Sequence, residues 1–564
     1  MGNQETRNCQ NCKKDFVIEP DDFGFYGTIH VPPPTWCPEC RMMRRFVWIG
    51  YSTLYKRKCD FTGEQVISFY HPDLPFKVYR QDIWHSDKWD PLSYGREYNF
   101  NRPFFEQFRE LQLSVPMPAL HAEYSTMVQS EYCNAASELK NCYLCFMADR
   151  AENCGYCTAM SFLKECFDIS WVNYCELCYD SVNLDHGYQA MYSQDCTNCQ
   201  TIWFCKDMVG CSNCFGCIGL RNKNYHIFNK PYSKEEYQEK IKEFDFGSSL
   251  GVEDIKKQFE EFAMKFPRRN FHGLKNVNSS GDYLYRCKNV KNSYWVDTAE
   301  DVRYSQHLQA LNTAKAYDYT SFSYNAEWIY ECSWVGINTH MMKFSFWNYS
   351  GHDSEYCIGC HGSGNCFGCV GVRDREYCIL NKQYTKEEYF DLVSRIKKQM
   401  MELPYKNERG IEFRYGEFFP SEFCPWAFNE TRAYLFFPFT KQKVSEKGFA
   451  WRDPDEKEYQ NATAQIPDHI KDAADSILKE IFKCAKCGKN YKLIKMELDF
   501  YRRMNIPIPK QCPFCRDRER HLRMNPMNIY NRDCAKCGKD IETSYAPERP
   551  EIVYCESCYQ QEVA

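Results

Sequence analysis

The feature that most constrains this chain is a run of cysteines between residues 132 and 220 that share one phase of a three-residue period. They are Cys133, Cys142, Cys145, Cys154, Cys157, Cys166, Cys175, Cys178, Cys196, Cys199, Cys205, Cys211, Cys214 and Cys217. Other residues in that phase are mostly small or apolar, such as Ala136, Leu163 and Val172. A period of three matches neither a helix nor an ordinary strand, and a collagen-like bundle would require glycine there. We therefore expect a β-solenoid of short strands and corners, with every third side chain pointing inward.

A longer, even spacing of seven three-residue steps separates Cys133, Cys154, Cys175, Cys196 and Cys217. Self-similarity of this kind is typical of stacked repeats, so the sequence predicts coils that place one cysteine above the next. Inward thiols can fill a narrow core, form disulfides or hold soft metals such as an iron–sulfur cluster. The core role is favoured, because a second copy of the repeat has Val, Ser, Ala and Leu at many of these positions.

The second copy begins near residue 283 and contains fewer cysteines. Its first inward positions are predicted to be Cys287, Val290, Ser293, Val296, Ala299, Val302, Ser305, Leu308, Leu311 and Ala314. The phase then slips between Val335 and Cys357, which predicts a bulge or loop. Both copies lead into a capping box, Ser233-Lys-Glu-Glu236 and Thr385-Lys-Glu-Glu388. We expect the helices that follow to close the open end of each stack.

Three further sets of cysteines have the spacing of structural zinc sites. In each set a Cys-x2-Cys pair is followed by another such pair, after the same gap in two sets and after a shorter gap in the third. The predicted ligands are Cys9, Cys12, Cys37, Cys40, Cys484, Cys487, Cys512, Cys515, Cys534, Cys537, Cys555 and Cys558. Four thiolates complete a closed tetrahedral shell and leave no open position for catalysis. The sequence therefore predicts three zinc ions in zinc ribbons.

The first two ribbons agree beyond their ligands. Phe25-Tyr26 matches Phe500-Tyr501, and Cys37-Pro-x-Cys-Arg41 matches Cys512-Pro-x-Cys-Arg516. Residues 9–41 and 484–516 resemble the bacterial "probable zinc-ribbon" family, and the whole arrangement is similar to uncharacterised multi-zinc-ribbon bacterial proteins. The resemblance implies zinc binding and points to no particular reaction or partner.

Basic residues follow the first two ribbons, although the chain as a whole is slightly acidic, with a formal charge of −5. The candidate nucleic-acid contacts are Arg41, Arg44, Arg45, Lys56, Arg57, Lys58, Arg516, Arg520 and Arg523. Cations interleaved with aromatic residues suit single-stranded nucleic acid, RNA above all. The leading hypothesis is thus a non-enzymatic zinc-binding scaffold that binds nucleic acid. The alternative is a protein–protein interaction scaffold that uses the ribbon and solenoid surfaces.

A third possibility is a metal or redox protein, or an enzyme of unrecognised type, that uses the solenoid cysteines. No His-Glu-x-x-His, P-loop or dinucleotide-binding motif is present in the sequence, so no catalytic residue and no small-molecule substrate are predicted. No run of about 18 apolar residues exists, so no membrane span is predicted. The amino-terminal segment up to Gln10 is polar and suggests no secretory signal, which predicts a cytoplasmic location.

These patterns predict a mainly β, multidomain protein with zinc ribbons at both ends of two Cys-rich solenoids with helical caps. The expected units are ribbon 1 with a basic and aromatic extension (1–58), an aromatic linking module (59–120), solenoid 1 (121–276), solenoid 2 (277–403), a small aromatic-cored module (404–470), ribbon 2 (471–526) and ribbon 3 (527–564).

Overall fold

The computed structural model describes residues 4–453 and 460–563, and it describes the side chains of these residues apart from 309–311. Strands are the main regular structure, and most of them belong to two large sheets. Within the described ranges, no helix is long and apolar enough to cross a membrane.

The amino-terminal region is built from short hairpins and helices. Its elements are β1 (Glu5–Asn8), β2 (Asp15–Ile18), α1 (Pro20–Thr28), α2 (Pro38–Phe46), β3 (Tyr55–Lys58), β4 (Gln65–Ser68), β5 (Val78–Tyr79), α3 (Gln81–Trp84), α4 (Phe104–Ser114) and β6 (Met117–Pro118). Proline at the first position of α2 fits a helix start, because its missing N–H would have no partner there. As a result, the second cysteine pair of ribbon 1 opens a helix.

The first large sheet has 12 strands. They are β7 (Asn134–Lys140), β8 (Phe146–Glu152), β9 (Thr158–Lys164), β10 (Phe167–Glu176), β11 (Tyr179–Asp185), β12 (Tyr188–Met191), β13 (Gln194–Thr197), β14 (Gln200–Trp203), β15 (Lys206–Val209), β16 (Ser212–Phe215), β17 (Asn224–Ile227) and β18 (Lys230–Pro231). All pairings are parallel except the last, between β17 and β18.

The repeat of this sheet is four three-residue steps long, and the expected repeat of seven steps is wrong. Ala136 pairs with Ala148, which pairs with Met160, which pairs with Val172. Left-handed backbone conformations recur every third residue, as at Glu138, with φ near 51°. The three-residue phase itself is confirmed, because its cysteines and apolar residues form one continuous buried cluster.

Hydrogen bonds explain why this phase prefers cysteine and serine. The thiol of Cys133 accepts the backbone N–H of Cys145 at 3.4 Å, and the hydroxyl of Ser181 accepts that of Ser193 at 3.0 Å. Cysteine and serine side chains of this phase also donate a hydrogen bond to the carbonyl two residues earlier in the chain. The thiol of Cys154, for example, donates to the carbonyl of Glu152 at 3.3 Å. A small polar side chain thus binds an N–H that would otherwise be buried without a partner.

Two helices and a short strand connect the sheets: α5 (Lys234–Lys240), α6 (Ser249–Ala263) and β19 (Arg268–Arg269). The second sheet has 11 strands. They are β20 (Gly273–Leu274), β21 (Gly281–Tyr285), β22 (Ser293–Arg303), β23 (Gln306–Thr320), β24 (Ser323–Val335), β25 (Ile337–Lys343), β26 (Phe346–Asn348), β27 (His352–Glu355), β28 (Gly364–Phe367), β29 (Glu376–Ile379) and β30 (Lys382–Gln383).

The repeat of the second sheet varies in length, so its phase slips before the expected place and also at that place, where the inward positions pass from Val335 to Met342. Tyr294 pairs with Gln306, the same offset as in the first sheet, whereas Ala299 pairs with Thr313 after a register shift. Ala314, predicted to point inward, is half-exposed, and Ala316 is buried instead. The side chain of Leu311 lies outside the described part of the chain. A longer repeat of this kind moves every later inward position by one or two residues.

Both predicted capping boxes are confirmed. The Ser233 hydroxyl accepts the N–H of Glu236 at the start of α5, and Thr385 does the same for Glu388 at the start of α7 (Lys386–Glu402). Tyr389 on α7 packs edge-on against Tyr377 near the end of the second sheet, with ring centroids 5.8 Å apart. Each helix therefore begins directly after its sheet and packs against it.

The remaining elements form the carboxy-terminal part of the chain. They are β31 (Tyr405–Lys406), β32 (Glu412–Phe413), α8 (Ala433–Phe436), α9 (Lys441–Glu446), β33 (Phe482–Lys483), β34 (Asn490–Tyr491), α10 (Lys495–Met504), α11 (Pro513–Leu522), β35 (Tyr530–Asp533), β36 (Asp540–Thr543), β37 (Val553–Tyr554) and α12 (Glu556–Val563). The aromatic regions near 70–118 and 411–453 share one hydrophobic core with ribbon 1 and the second sheet. Their aromatic residues are therefore core residues, which join these parts of the chain.

Candidate metal centres and the arginines that seat them

The first four-cysteine set has the dimensions of a zinc site. The sulfurs of Cys9, Cys12, Cys37 and Cys40 all lie within 4.8 Å of one another, and those of Cys12 and Cys37 are 3.7 Å apart. Four sulfurs at a Zn–S distance of about 2.3 Å would form a tetrahedron with edges of about 3.8 Å. The cysteines are thus already spaced for a metal ion of this size.

The other two sets repeat this geometry. In each of these two sets the sulfurs of the second and third cysteines are 3.8 Å apart. These are Cys487 with Cys512 and Cys537 with Cys555. In all three sets the N–H of the third cysteine donates to the sulfur of the first at 3.2 Å. Among the described residues, these three sets are the groups of three or more Cys, His, Asp or Glu whose ligand atoms all lie within 4.8 Å of one another.

The local backbone favours the thiolate form of the first cysteine in ribbons 2 and 3. Burial opposes ionisation of Cys484, but the N–H groups of Cys512, Cys487 and Lys486 outweigh it and lower its pKa to about 6. The pKa of Cys534 is lowered to about 6 in the same way, since its own N–H donors outweigh burial. Because the thiolate is the metal ligand, these donors prepare the sites for a cation.

Helix α2, which begins at the third cysteine of ribbon 1, inserts arginines into the second sheet. Arg45 donates from Nη1 to Asp318 at 2.9 Å, from Nε to the Thr320 hydroxyl at 3.0 Å and from Nη2 to the Tyr304 carbonyl at 3.0 Å. Arg41 pairs with the same Asp318 at 3.0 Å. The side chains of the two arginines and of Asp318 are at most 2% exposed.

Helix α11 of ribbon 2 makes the same contacts with the first sheet. Arg520 donates from Nη1 to Asp168 at 2.8 Å, from Nε to the Ser170 hydroxyl at 3.2 Å and from Nη2 to the Tyr156 carbonyl at 3.1 Å. Arg516 pairs with Asp168 at 3.0 Å, as Arg41 does with Asp318. Ribbons 1 and 2 thus each dock on a strand that presents aspartate, then a hydroxyl two residues later.

Equivalent aromatic and acidic contacts accompany the arginines. Phe25 stacks on Tyr317 with centroids 3.8 Å apart, and its counterpart Phe500 packs on Phe167 at 4.8 Å. The hydroxyl of Tyr304 donates to Asp22, and that of Tyr156 donates to Glu497. The docking is crossed, because ribbon 1 contacts the second sheet and ribbon 2 contacts the first.

Ribbon 3 is seated between the two sheets by different contacts. Its strand β37 pairs with β19 in the segment between the sheets. The Ser544 hydroxyl donates to Asp282, whose carboxylate also lies 3.1 Å from Nδ1 of His272. The other ring nitrogen of His272 lies 3.8 Å from the carboxylate of Asp195 in the first sheet. One histidine therefore lies between carboxylates of both sheets.

The structure corrects the expected basic surface. Six of the nine candidate nucleic-acid contacts are buried: Arg41, Arg44, Arg45, Arg57, Arg516 and Arg520. Arg44 pairs with Glu331 and Glu417, each at 3.0 Å. Arg523 pairs with Asp180 at 2.6 Å and is partly exposed. The five buried arginines of α2 and α11 pair with carboxylates of the sheets, so they are not available to a polyanion. Of the nine candidates, Lys56 and Lys58 are exposed.

Comparisons with known proteins do not assign the chain to a family. No family model matches it, and no curated protein matches it significantly. Among solved structures, a "putative acetyltransferase" from Desulfovibrio desulfuricans G20 aligns at 7% identity over 51% of this chain and 87% of that chain. Its TM-score of 0.09 is too low to carry an argument about fold or activity.

Proposed function

We propose that this protein is a non-enzymatic scaffold whose three four-cysteine sites each bind one zinc ion. The observation that carries the proposal is the repeated docking of a cysteine-nucleated helix, α2 or α11, into buried carboxylates of a sheet. Zinc would hold the start of each helix in place, so that the arginines one and two turns later meet their aspartates. Closed four-cysteine sites supply folding energy rather than a reaction centre.

We further propose that both sheets are walls of β-solenoids. The repeated parallel register, the left-handed residue at every third position and the inward thiols and hydroxyls support this architecture. In such a stack each coil contacts mainly its neighbours, so the apolar surface at the ends and along the sides must be shielded from solvent by other elements. The ribbons and helices provide that cover.

Metal analysis tests the zinc proposal. Full-length protein purified without added chelator should contain three zinc ions per chain by mass spectrometry of the native protein. The paired substitutions Cys512→Ser and Cys515→Ser should lower the count by one. The matched substitution Cys424→Ser, at a cysteine outside the three sets, should leave three ions. A count below three in the unmodified protein that added zinc cannot raise would contradict the proposal.

For the partner, we propose protein rather than nucleic acid. On the first sheet, Phe162 stacks on Tyr174 at 4.5 Å and Tyr174 on His186 at 4.7 Å, and all three are exposed. An exposed aromatic column is typical of an interaction surface. The nucleic-acid alternative retains Lys56 and Lys58 on the hairpin β3–β4.

A salt series with mixed single-stranded RNA and DNA separates the two. Binding with a steep salt dependence that is lost in the Lys56→Glu, Lys58→Glu double variant would establish nucleic acid as the partner. The control is Arg503→Glu, at another exposed cation. Absence of binding at low salt supports the protein scaffold, and partners captured by cross-linking should then be lost with Phe162→Ser and Tyr174→Ser.

A further inference from the structure

A groove of about 520 Å³ lies beside the hairpin β3–β4, away from the cysteine sites. Its charged lining residues are Arg57, Asp60 and Lys77, and its apolar walls include Leu74, Phe76 and Tyr94. This volume falls in the range of about 300–1,000 Å³ that is typical of small-molecule sites. Neither the zinc sites nor the docking of the ribbons uses this groove.

Arg57 lines the groove and has spare hydrogen-bonding capacity. Its side chain is only 6% exposed, its Nη1 donates to the His71 carbonyl at 3.3 Å and its Nη2 pairs with Asp60 at 3.2 Å. Its Nε has no hydrogen-bond partner among the described residues. A buried guanidinium donor without an acceptor is costly, and a small turn of the Arg57 side chain toward a ligand oxygen in the groove would relieve that cost.

The charges around Arg57 leave the groove positive. The Asp60 oxygen that pairs with Arg57 also accepts the Val78 N–H at 2.7 Å, so the backbone shares this carboxylate. Lys77 is exposed, and in the described part of the chain its ammonium group makes no ion pair or hydrogen bond. Two cations thus face one carboxylate that is already engaged.

We propose that this groove binds a small anionic ligand with an apolar or aromatic body. The anionic group, a carboxylate, sulfonate or phosphate, would accept hydrogen bonds from Arg57 and Lys77. The body would lie against Leu74, Phe76 and Tyr94. This binding activity is separate from the scaffold role and does not depend on it.

The test uses 8-anilinonaphthalene-1-sulfonate as the anionic probe and N-phenyl-1-naphthylamine as its uncharged counterpart. Fluorescence titration of the full-length, zinc-loaded protein should show a site that prefers the sulfonate by tenfold or more. Arg57→Gln and Lys77→Gln should each weaken sulfonate binding on the order of tenfold, as expected for a charge-assisted hydrogen bond. They should leave binding of the uncharged probe within twofold.

Lys56→Gln is the matched control, because Lys56 is on the same strand as Arg57 but is exposed on its other face. It should change sulfonate affinity less than twofold. Lys77→Gln keeps the test valid if Arg57→Gln disturbs the hairpin, since Lys77 is on the surface. Sulfonate affinity that is indifferent to both substitutions, or that falls equally with Lys56→Gln, would overturn the proposal. Either result would leave the zinc count unchanged, so failure here is distinct from failure of the proposed function.

Discussion

Replacing Arg520 by methionine tests the docking of ribbon 2 most directly. The substitution keeps a long apolar stem but removes the three hydrogen bonds to the first sheet, at Asp168, Ser170 and Tyr156, and one to Asp517 in the same helix. Removing one partner of a buried ion pair costs about 3–5 kcal/mol. We expect the lower end, about 3 kcal/mol, because Asp168 keeps Arg516 at 3.0 Å. At about 1.4 kcal/mol per tenfold, the undocked population should rise roughly a hundredfold.

Hydrogen exchange of the backbone amides in α10 and α11 measures this population, because helices of 10 residues fray once they lose their contacts with the sheet. Arg520→Met should reduce their protection roughly a hundredfold, while amides of the second sheet keep theirs. The control is Arg503→Met on the same ribbon. Arg503 also pairs with the first sheet, through Glu165 at 3.2 Å, but both side chains remain accessible to solvent.

An exposed pair contributes about 0–1 kcal/mol, so Arg503→Met should change protection by less than about fivefold. Equal effects of the two substitutions would show that burial of the ion pair does not decide docking. A loss smaller than threefold for Arg520→Met would refute the reasoning outright.

The same network of contacts leads to three other expected outcomes. Removing zinc with a strong chelator should abolish amide protection in the three ribbons before the sheets lose theirs, as monitored by hydrogen exchange. In the first sheet, Cys154→Ser should be nearly neutral and Cys154→Val should cost about 1–3 kcal/mol in denaturant unfolding, because valine leaves the Cys166 N–H without an acceptor. At His272, burial opposes protonation, but Asp282 and Asp195 outweigh it and raise the pKa. The stabilisation of the fold by protonated His272 should be complete below the ordinary histidine pKa of about 6.5 and be lost as pH rises through the raised pKa. The melting temperature of ribbon 3 should therefore fall with pH over this range, and His272→Gln should remove that dependence.

Much of the local structure could be predicted from the sequence. The cysteine pairs identify three metal-sized clusters because ligand spacing is set by the short loops that carry the ligands. The three-residue phase also identifies the buried face of the first sheet. Any repeat length that is a multiple of three preserves this phase, so inward position is visible in the sequence while repeat length is not.

The even spacing of the five cysteines from Cys133 to Cys217 illustrates this limit. This spacing separates Cys133 from Cys154. The thiol of Cys133 accepts the N–H of Cys145, and the thiol of Cys154 accepts the N–H of Cys166. Cys133 and Cys154 therefore occupy different positions within the repeat, and each stacks on a different cysteine of the next repeat. The seven steps between them are one full repeat of four steps plus three steps of the next repeat. The pairing of strands depends on the backbone of neighbouring repeats, which composition does not encode.

The partners of the buried arginines were equally hidden. Asp168 and Asp318 both adopt left-handed corner conformations with φ near 54°, where aspartate is common in solvated turns. Nothing local distinguishes them from surface acids. The signal that could have found them is the repeated Asp-x-Ser/Thr, with a tyrosine one repeat earlier, opposite a repeated Cys-Arg-x-x-x-Arg.

The crossed docking constrains how the chain assembles. Arg45 meets Asp318 across 273 residues and Arg520 meets Asp168 across 352 residues. Ribbon 1 therefore cannot gain its buried partners until the second sheet has formed, and three arginines in α2 would meanwhile stay in water. The proposed zinc site would solve this problem, because a bound metal ion would order the ribbon before the sheet exists. The second sheet has the converse problem, because its buried carboxylates need a cation. Asp318 and Glu331 both pair with Arg45, and they lack this partner until ribbon 1 docks. Each sheet and its ribbon are thus incomplete alone, which is why we expect zinc loss to loosen both.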